Sequence, residues 1–285
     1  MATLSLSAVA KLNLFLHITG QRHDGYHLLE TLFQFIDYGD RLDFTLTDTD
    51  TLDFSCSVAE LAGPDNLVLR AVQLLQQEFP KHARGVRIHL HKVLPCGGGL
   101  GGGSSDAATT LLALRQLWQL PLSTAELAQL GLQLGADVPI FVSGHAAFAQ
   151  GIGEQLTPMT PACPWYLVVH PGVHVSTPTI FQHPQLPRQH AHMDPQQWNW
   201  HNTQNDCQQL VCQLYPEVAK ALAWLVEYAP SRLTGTGACI FARFDQQQQA
   251  LAALQQLPAA WTGFVARGIN ESPVCQQLRQ ASTVT

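Results

Sequence analysis

The chain has 285 residues, which is enough for two domains that each bury a core of their own. Charged residues make up 13% of the sequence, hydrophobic residues make up 46%, and the formal net charge is −6. This acidic balance argues against broad nucleic-acid binding, because such binding needs lysine and arginine to neutralise phosphates, and no apolar run is long enough to cross a bilayer.

The seven cysteines are odd in number and include no C-x-x-C pair. This pattern favours reduced thiols in a reducing compartment over a disulfide framework or a zinc site. The N-terminus lacks the basic segment and the long apolar stretch of a signal peptide. We therefore expect a cytoplasmic protein with no nucleic-acid partner, no membrane partner and no obligate protein partner.

The first predicted element is a strand over residues 8–18, where the residues alternate between two faces. Lys11 and Asn13 fall on the same face, about 7 Å apart. A cation beside an amide suits a polar substrate, although the residues alone are also typical of a solvated charge on a strand.

The next segment, R-H-D-G-Y-H over residues 22–27, predicts a turn followed by two rings. Tyr26 could stack on a nucleobase and His27 could hydrogen-bond to its edge. A hairpin with two unrelated aromatic side chains is the alternative. Strands are predicted next over residues 32–38 and 41–47, and then a helix that begins at Asp65 and Asn66.

A glycine-rich stretch, K-V-L-P-C-G-G-G-L-G-G-G-S-S-D over residues 92–106, follows a half-exposed strand over residues 86–93. Its six glycines let the backbone take positive φ and let ligand atoms approach the main chain closely. Ser104, Ser105 and Asp106 are good helix-starting residues, and apolar residues at helical spacing follow them. A loop that opens a helix in this way predicts an anion site, and phosphate is the commonest such anion.

Three other interpretations of this loop are weaker. A Walker A loop needs lysine after its last glycine, where this chain has Ser104. Gly97, Gly99 and Gly102 satisfy the dinucleotide pattern G-x-G-x-x-G, but the half-exposed strand before them and the second helix after them do not fit that fold. A flexible linker would not carry Leu100 at its centre or lead into an apolar helix.

Beyond this helix, S-T-A-E over residues 123–126 forms a capping box, which predicts a second helix that stops at Gly135. We expect Pro139 to end this helix region and an apolar strand to follow it. Asp137 lies between the helix stop and that strand. Its carboxylate is either held rigidly near a cleft or serves as a simple helix cap.

The C-terminal half is predicted to combine short strands and helices. Strands are expected over residues 166–170 and 263–266, helices over 206–214, 216–228 and around 250–254, and a second glycine loop over 233–241 that enters another strand. Residues 182–205 are rich in histidine, but the irregular spacing favours a solvated connection over a metal site.

Several of these motifs together resemble the GHMP kinases. The stretch P-C-G-G-G-L-G-G-G-S-S-D-A-A, residues 95–108, is similar to the phosphate loop of that superfamily, and residues 233–241 are similar to its third motif. A-K-L-N-L-F-L-H-I-T-G (10–20), R-x-D-G-Y-H (22–27) and L-G-A-D-V-P (134–139) resemble motifs of the members that act on a cytidine diphosphate derivative.

The resemblance implies an α+β fold of two domains, with a mixed α/β domain over residues 1–160, a ferredoxin-like domain over residues 161–285 and the active site in the cleft between them. It also implies ATP-dependent phosphorylation of the 2-hydroxyl of 4-diphosphocytidyl-2-C-methyl-D-erythritol in non-mevalonate isoprenoid synthesis. The implied cofactors are ATP and Mg²⁺.

Residue by residue, the resemblance assigns catalysis to Lys11 and Asp137, with Asp137 as the general base. The residues that it places around ATP are Asn66, Lys92, Pro95, Cys96, Gly97, Gly98, Gly99, Leu100, Gly101, Gly102, Gly103, Ser104 and Ser105. The residues that it places around the second substrate are Asn13, Tyr26, His27, Thr177 and Phe181, with cytosine between the Tyr26 and Phe181 rings. It identifies no Mg²⁺ ligands, for which Ser104, Ser105 and Asp106 are possibilities.

Two alternative functions stay open. A GHMP kinase for another alcohol, such as homoserine or a mevalonate derivative, would have no use for aromatic rings at Tyr26 and Phe181. A nucleotide-binding protein without catalysis would have no need of both Lys11 and Asp137.

Overall fold

The computed structural model of the chain describes residues 3–282. Within this range the strands are β1 (Thr3–Gln21), β2 (His27–Leu46), β3 (Leu52–Cys56), β4 (Val86–His91), β5 (Ala147–Gln150), β6 (Gln155–Pro158), β7 (Trp165–His170), β8 (Ser231–Leu233), β9 (Ile240–Phe244) and β10 (Thr262–Ile269). The helices are α1 (Leu67–Glu78), α2 (Gly102–Leu117), α3 (Thr124–Gly131), α4 (Val138–Ser143), α5 (Thr177–Gln182), α6 (Gln208–Leu214), α7 (Pro216–Val226), α8 (Gln247–Gln255) and α9 (Pro273–Ser282).

The strands form one sheet whose central path runs β3-β4-β2-β10-β7-β9-β8. Strand β2 is the hub, because it pairs with β1 along most of its length and with β4, β5 and β10 along shorter segments. Only β3 and β4 are parallel among the named pairs of the described strands. The predicted α+β class is confirmed.

Three buried clusters fill the space between the sheet and the helices. The first packs β1, β2 and β4 against α1 to α4, with Phe35, Phe44 and Leu111 fully buried. The second packs β7, β8 and β9 against α6 to α8. The third lies between them, where Phe15 and Phe241 pack beneath the centre of the glycine-rich loop at Leu100. The loop is therefore anchored to the core by the side chains of Leu94 and Leu100.

Several sequence predictions hold at the level of the element. Asn66 caps α1 by accepting a hydrogen bond from the Val68 amide, and Ser123 and Glu126 form the predicted capping box of α3. The strand before the glycine-rich loop alternates buried and more exposed residues, as predicted, although it ends at His91. The second glycine loop enters β9.

Other predictions of elements are wrong. The strands predicted over residues 32–38 and 41–47 are parts of the single strand β2, because Gly39 and Asp40 stay in register opposite β1. Helix α2 begins at Gly102, before the predicted starting residues, and α3 ends at Gly131. Pro139 does not end a helix, and no strand follows it: it lies in the first turn of α4, where its missing N–H costs nothing.

The C-terminal elements also differ in part. Helix α6 begins at Gln208, two residues after its predicted start, and α7 ends at Val226. Helix α9 was not predicted, and its Val274 and Leu278 pack into the first cluster, against β1 and α2. Among the helices of residues 3–282, none combines the length and the hydropathy that crossing a membrane requires.

Candidate active site

One cavity of about 940 Å³ collects nearly every residue that the sequence singles out. Its walls come from β1, the β1–β2 turn, the glycine-rich loop, the start of α4, α5 and the second glycine loop. Of the predicted site residues, only Ser105 does not line it. The Ser105 hydroxyl is buried and donates to the Val9 carbonyl, 2.7 Å away, so this side chain faces β1.

The glycine-rich loop adopts a conformation that most residues disfavour. Gly97, Gly99 and Gly101 have φ of 66°, 75° and 71°, and Gly101 is the N-cap of α2. The first-turn amides of α2 therefore lie at the end of the loop, as the predicted anion site requires.

The second glycine loop holds the first one in place. The amides of Ala238 and Cys239 donate to the carbonyls of Gly97 and Gly98, at 3.3 and 3.1 Å. A Cβ on Gly99 would come within 2.2 Å of the Thr234 carbonyl, so the loops touch backbone to backbone. Residues 135 positions apart in sequence thus form one surface.

Lys11 and Asp137 form an ion pair inside the cavity. The Lys11 ammonium lies 3.2 Å from the Asp137 Oδ2, and the side chains are 3% and 34% exposed. Asp137 occupies the N-cap position of α4, but its side chain makes no capping hydrogen bond. The structure therefore favours the carboxylate held near a cleft over the simple helix cap.

The Lys11 ammonium is fixed by two further acceptors. It donates to the Asn13 Oδ1 at 2.6 Å and to the Gly99 carbonyl at 3.0 Å. Asn13 in turn donates to the Thr31 hydroxyl at 2.9 Å, so its amide is engaged within the protein although Asn13 lines the cavity. These acceptors and Asp137 match the three donors of the ammonium, so Lys11 is held in place beside the Asp137 carboxylate.

Lys92 also lines the cavity, and its ammonium lies between two buried carboxylates. Its ammonium is 2.6 Å from the Asp40 Oδ2 and 2.7 Å from the Asp106 Oδ2. Burial opposes the charged lysine, but Asp106 and Asp40 outweigh burial and raise the Lys92 pKa above its usual value. Burial raises the pKa of Asp106, Lys92 opposes the rise and Asp40 adds to it, and this pKa reaches about 7.

Asp106 has an unused polar atom, whereas the Asn66 side chain is engaged within the protein. The Asp106 Oδ1 is buried and has no hydrogen-bond partner, whereas Asn66 uses its side chain to cap α1 and to donate to the Leu61 carbonyl. Within residues 3–282 no group of three or more His, Cys, Asp or Glu side chains is arranged to hold a metal ion.

The rings that are predicted to meet a base also line the cavity. Tyr26 is 58% exposed, and the His27 and Phe181 rings are in contact, with centroids 5.0 Å apart. The Thr177 hydroxyl is hydrogen-bonded to the Thr236 hydroxyl at 2.8 Å, which ties α5 to the second glycine loop. All four predicted side chains open onto the same cavity.

Arg188 is a residue of this region that the sequence did not single out. Its Nε donates to the His27 Nε2 at 2.9 Å, and its guanidinium also binds three backbone carbonyls. Burial first, and then the charge of Arg188, lower the pKa of His27 below its ordinary value, which keeps the ring neutral at pH 7. No sequence motif marks an arginine that acts through another side chain.

The histidine-rich segment makes specific contacts with other parts of the protein, which a solvated connection would not make. His190 is hydrogen-bonded to Asp206 at 3.0 Å, and His192 to Glu30 at 2.7 Å. The His190 ring also stacks on His17 of β1, with centroids 3.5 Å apart. These contacts fasten the segment to the strands that carry the cavity.

Other residues that sequence reasoning missed are Asp40, Thr31 and Thr234. Each is an isolated polar residue whose partner is far along the chain, as for Thr234, which accepts from the Asn13 amide at 3.0 Å. Of these three residues, only Thr234 stood in a recognisable motif, because it lies at the start of the second glycine loop.

Family models match two parts of the chain, the GHMP kinases N terminal domain over residues 66–145 and the GHMP kinases C terminal domain over residues 191–263. The 4-diphosphocytidyl-2-C-methyl-D-erythritol kinase of Shewanella putrefaciens is 58% identical over 95% of this chain and 95% of its own length. The protein of the same name from Shewanella piezotolerans is 56% identical over 98% and 99%.

Solved structures agree with these relatives. The crystal structure of a 4-(cytidine 5′-diphospho)-2C-methyl-D-erythritol kinase superposes with a TM-score of 0.81 at 31% identity, covering 93% of this chain and 98% of that one. A mevalonate kinase superposes with a TM-score of 0.68 at 14% identity, covering 95% of this chain and 100% of that one, which shows a shared fold. The chain belongs to the 4-diphosphocytidyl-2-C-methyl-D-erythritol kinase family of the GHMP kinases and is an ATP-dependent kinase.

Proposed function

We propose that this kinase transfers the γ-phosphoryl group of ATP to the 2-hydroxyl of 4-diphosphocytidyl-2-C-methyl-D-erythritol, a step of non-mevalonate isoprenoid precursor synthesis. The substrate is that named for the full-length relatives. The observation that carries the proposal is the Lys11–Asp137 pair, which lies in one cavity with a phosphate-type loop and with the rings of Tyr26, His27 and Phe181.

Asp137 acts as the general base in this proposal. A tertiary hydroxyl is crowded and a poor acid, so it needs both orientation and a proton acceptor at hydrogen-bond range. The Asp137 carboxylate accepts the hydroxyl proton while the oxygen forms its bond to the γ-phosphorus and ADP leaves. Because Asp137 is 34% exposed within the cavity, its oxygens are open to a bound alcohol.

Lys11 stabilises the charges that this step needs. Its ammonium, 3.2 Å from Asp137, favours the ionised carboxylate before transfer and offsets the negative charge that develops during it. Three acceptors hold the ammonium, from Asn13, Gly99 and Asp137, so no reorganisation of Lys11 is needed.

The glycine-rich loop and the start of α2 would bind the ATP phosphates through backbone amides and the helix dipole. Mg²⁺ would be held mainly by phosphate oxygens and water, as is usual for this ion. The Ser104 hydroxyl, which lines the cavity, and the unpartnered Asp106 Oδ1 are oxygen donors that fit such a site. An ion held there would supply positive charge against the phosphates.

The first experiment measures ADP release with ATP and Mg²⁺, with 4-diphosphocytidyl-2-C-methyl-D-erythritol, homoserine and mevalonate offered in parallel. We expect turnover with the cytidine substrate only. Turnover with homoserine or mevalonate instead would contradict the proposal. A protein that turns over none of the three substrates would also contradict it.

The second experiment replaces the base. Asp137→Asn keeps the shape of the side chain but removes the proton acceptor, so kcat should fall by about 10²–10⁴-fold while the KM for both substrates changes little. Asp53→Asn, which changes an exposed carboxylate paired with Arg87, is the matched control and should leave kcat unchanged. An unimpaired Asp137→Asn enzyme would remove Asp137 as the base.

A further inference from the structure

Asp40 of β2 holds the residues that lead into the glycine-rich loop. Its side chain is fully buried. The Oδ1 accepts hydrogen bonds from the amides of Val93 and Leu94, at 2.6 and 2.9 Å, and the Oδ2 accepts from the Lys92 ammonium at 2.6 Å. Both carboxylate oxygens are therefore used, and one side chain fixes the backbone and the lysine at the start of the loop.

Lys92 connects this contact to the other end of the loop. Its ammonium also donates to the Asp106 Oδ2 at 2.7 Å, which joins two positions that are 14 residues apart. All six glycines of the loop lie between these positions. The side chains of Lys92, Asp40 and Asp106 are 7%, 0% and 3% exposed, so water competes little for these contacts. We call these three side chains the loop clamp.

The loop clamp lies against the first turn of α2. Gly102 is the first residue of this helix, and a Cβ on it would come within 3.1 Å of the Lys92 Nζ and 3.3 Å of the Leu94 Cδ1. Asp40 holds both of these residues. A displacement of Lys92 would therefore change the packing at the helix end whose amides are expected to meet the ATP phosphates.

The contacts of Lys92 also indicate how it acts. A lysine that binds phosphate presents its ammonium to the ligand as a point charge. In this protein, two of the three N–H donors of the Lys92 ammonium are used by carboxylates of the loop clamp. Lys92 is therefore held as part of the framework that supports the loop.

We propose that Asp40 is a positioning residue for ATP, which sets the conformation of the glycine-rich loop through Lys92 and through the Val93 and Leu94 amides. The inference rests on the proposed function, because it assumes that the loop and the start of α2 bind the ATP phosphates. Asp40 does not line the cavity, so it does not contact a nucleotide bound there.

The first test measures the dissociation constant of ADP in the presence of Mg²⁺ by calorimetry, which needs no turnover. Asp40→Asn keeps an oxygen for the Val93 and Leu94 amides but places an NH₂ group against the Lys92 ammonium. We expect the dissociation constant to rise about 10-fold, because the loop loses an anchor and the first turn of α2 shifts.

The sign of this change separates positioning from charge. If Asp40 acted only by its charge, removing a negative charge near the phosphate site would tighten the binding of ADP. Unchanged or tighter binding in Asp40→Asn would therefore overturn the proposal. Asp43→Asn, which changes a carboxylate of the same strand that is 37% exposed and paired with Arg41, is the matched control and should bind ADP as the wild type does.

Asp40→Glu tests position at constant charge, and it also serves if Asp40→Asn does not fold. Glutamate is one methylene longer, so it cannot place one oxygen on the two amides and the other on the Lys92 ammonium without moving the backbone. We expect the dissociation constant of ADP to rise by about threefold or more. An affinity equal to that of the wild type would overturn the proposal.

A double-mutant cycle tests whether Asp40 acts through Lys92. In the Lys92→Met protein the ammonium is gone, so adding Asp40→Asn should change the dissociation constant of ADP by less than about twofold. A further rise of about 10-fold would show that Asp40 acts independently of Lys92, which would overturn the role of the loop clamp.

Steady-state kinetics distinguish positioning from a general loss of structure. Asp40→Asn should raise the KM for ATP about 10-fold and leave the KM for the alcohol substrate within about twofold of the wild type, because the loop clamp holds only the glycine-rich loop and α2. Equal rises in both KM values would indicate a general disturbance of the cavity and would overturn the proposal.

The failure of this inference can be distinguished from the failure of the proposed function. A protein that binds ADP, loses affinity in Asp40→Asn and does not phosphorylate 4-diphosphocytidyl-2-C-methyl-D-erythritol would contradict only the proposed reaction. A protein that phosphorylates this substrate and binds ADP equally well with and without the Asp40→Asn change would contradict only the role of Asp40.

Discussion

His17 shows how a single buried side chain couples stability to pH. It lies on β1 with 2% exposure, stacked on His190, and its Nδ1 has no hydrogen-bond partner. Burial first, and then His190, lower the pKa of His17 from 6.5 to about 4, with a smaller contribution from Arg232, while Asp206 and Glu30 oppose the shift. The folded protein therefore keeps this ring neutral at a pH where the unfolded chain protonates it.

We predict that His17 makes the protein less stable as the pH falls below 6.5. Between pH 6.5 and 4 the unfolded state binds a proton that the folded state does not, so the free energy of unfolding falls by up to about 1.4 kcal/mol per pH unit. From pH 7.5 to 5 the wild type should lose about 2 kcal/mol more than His17→Gln, measured by urea unfolding.

His23→Gln is the control for this prediction, because His23 is exposed in the β1–β2 turn. Its pH dependence should follow that of the wild type. Parallel curves for the wild type and His17→Gln would show that His17 is protonated equally in both states.

At the residue scale, the sequence predicted the side chains that carry chemistry better than those that position them. The alternation of β1 placed Lys11 and Asn13 on one face, and they are hydrogen-bonded at 2.6 Å. Asp40 and Arg188 could not be predicted, because their partners lie 52 and 161 positions away and neither belongs to a local pattern. The roles assigned by resemblance to the other cavity residues stay predictions.

Among the elements, the glycine-rich loop imposes the strictest demand on its residues. Gly101 has φ of 71° and caps α2, and a Cβ there would lie 2.8 Å from the Phe141 ring and 3.1 Å from the Lys11 Cε. Gly103, only two residues later, lies in the first turn of α2, and a Cβ there would meet nothing closer than Leu67 at 3.4 Å. Gly101 and Gly103 therefore differ in whether they can be replaced by a residue with a side chain.

We predict that Gly101→Ala destabilises the protein and that Gly103→Ala does not. Gly101→Ala combines left-handed backbone strain with two close contacts and should lower the free energy of unfolding by about 2–3 kcal/mol. It should also lower kcat, because the new methyl group presses on Lys11. Gly103→Ala should be neutral or stabilise by up to about 1 kcal/mol, since alanine favours the helix.

Chemical denaturation of both variants, with kinetics of Gly101→Ala, checks this pair of predictions. Equal stabilities for the two alanine variants would show that the loop conformation at Gly101 is not required.

Local signals explain which elements could be predicted. Helices α1 and α3 carry capping residues that act within a few positions, and both were predicted to begin where they do. Pro139 was misread because proline ends a helix only in its interior and is favoured in the first turn. Strand β2 was divided at Gly39, although this glycine is required by packing, since a Cβ there would lie 2.2 Å from the Ala8 carbonyl oxygen.

For the whole molecule, the two ends of the chain share one core. Helix α9, at the C-terminal end of the described residues, packs against β1, and Gln277 accepts from the Ser7 amide at 3.0 Å. In the other direction, Leu16 and Ile18 of β1 pack into the second cluster. The division into domains at residues 160 and 161 stays a prediction. With that division, β1 and α9 each contribute core residues to the domain on the other side of it.

We predict that α9 contributes directly to global stability. Leu278 is 7% exposed in the first cluster, so Leu278→Ala should lower the free energy of unfolding by about 2–4 kcal/mol. Leu251→Ala, at a leucine of α8 that is 40% exposed, is the matched control and should change it by less than about 0.5 kcal/mol. An equally small effect at Leu278 would mean that α9 is dispensable.

The position of β10 in the sheet has a consequence for how the chain is made. Strand β10 inserts between β2 and β7, and it pairs Gly268 with Ile36, a separation of more than two hundred residues. Contacts so distant in sequence form slowly, because a long loop must close first. On the ribosome, the edge of β7 that pairs with β10 has no partner while residues 171–261 are made, so the emerging chain exposes an unpaired strand edge throughout that interval.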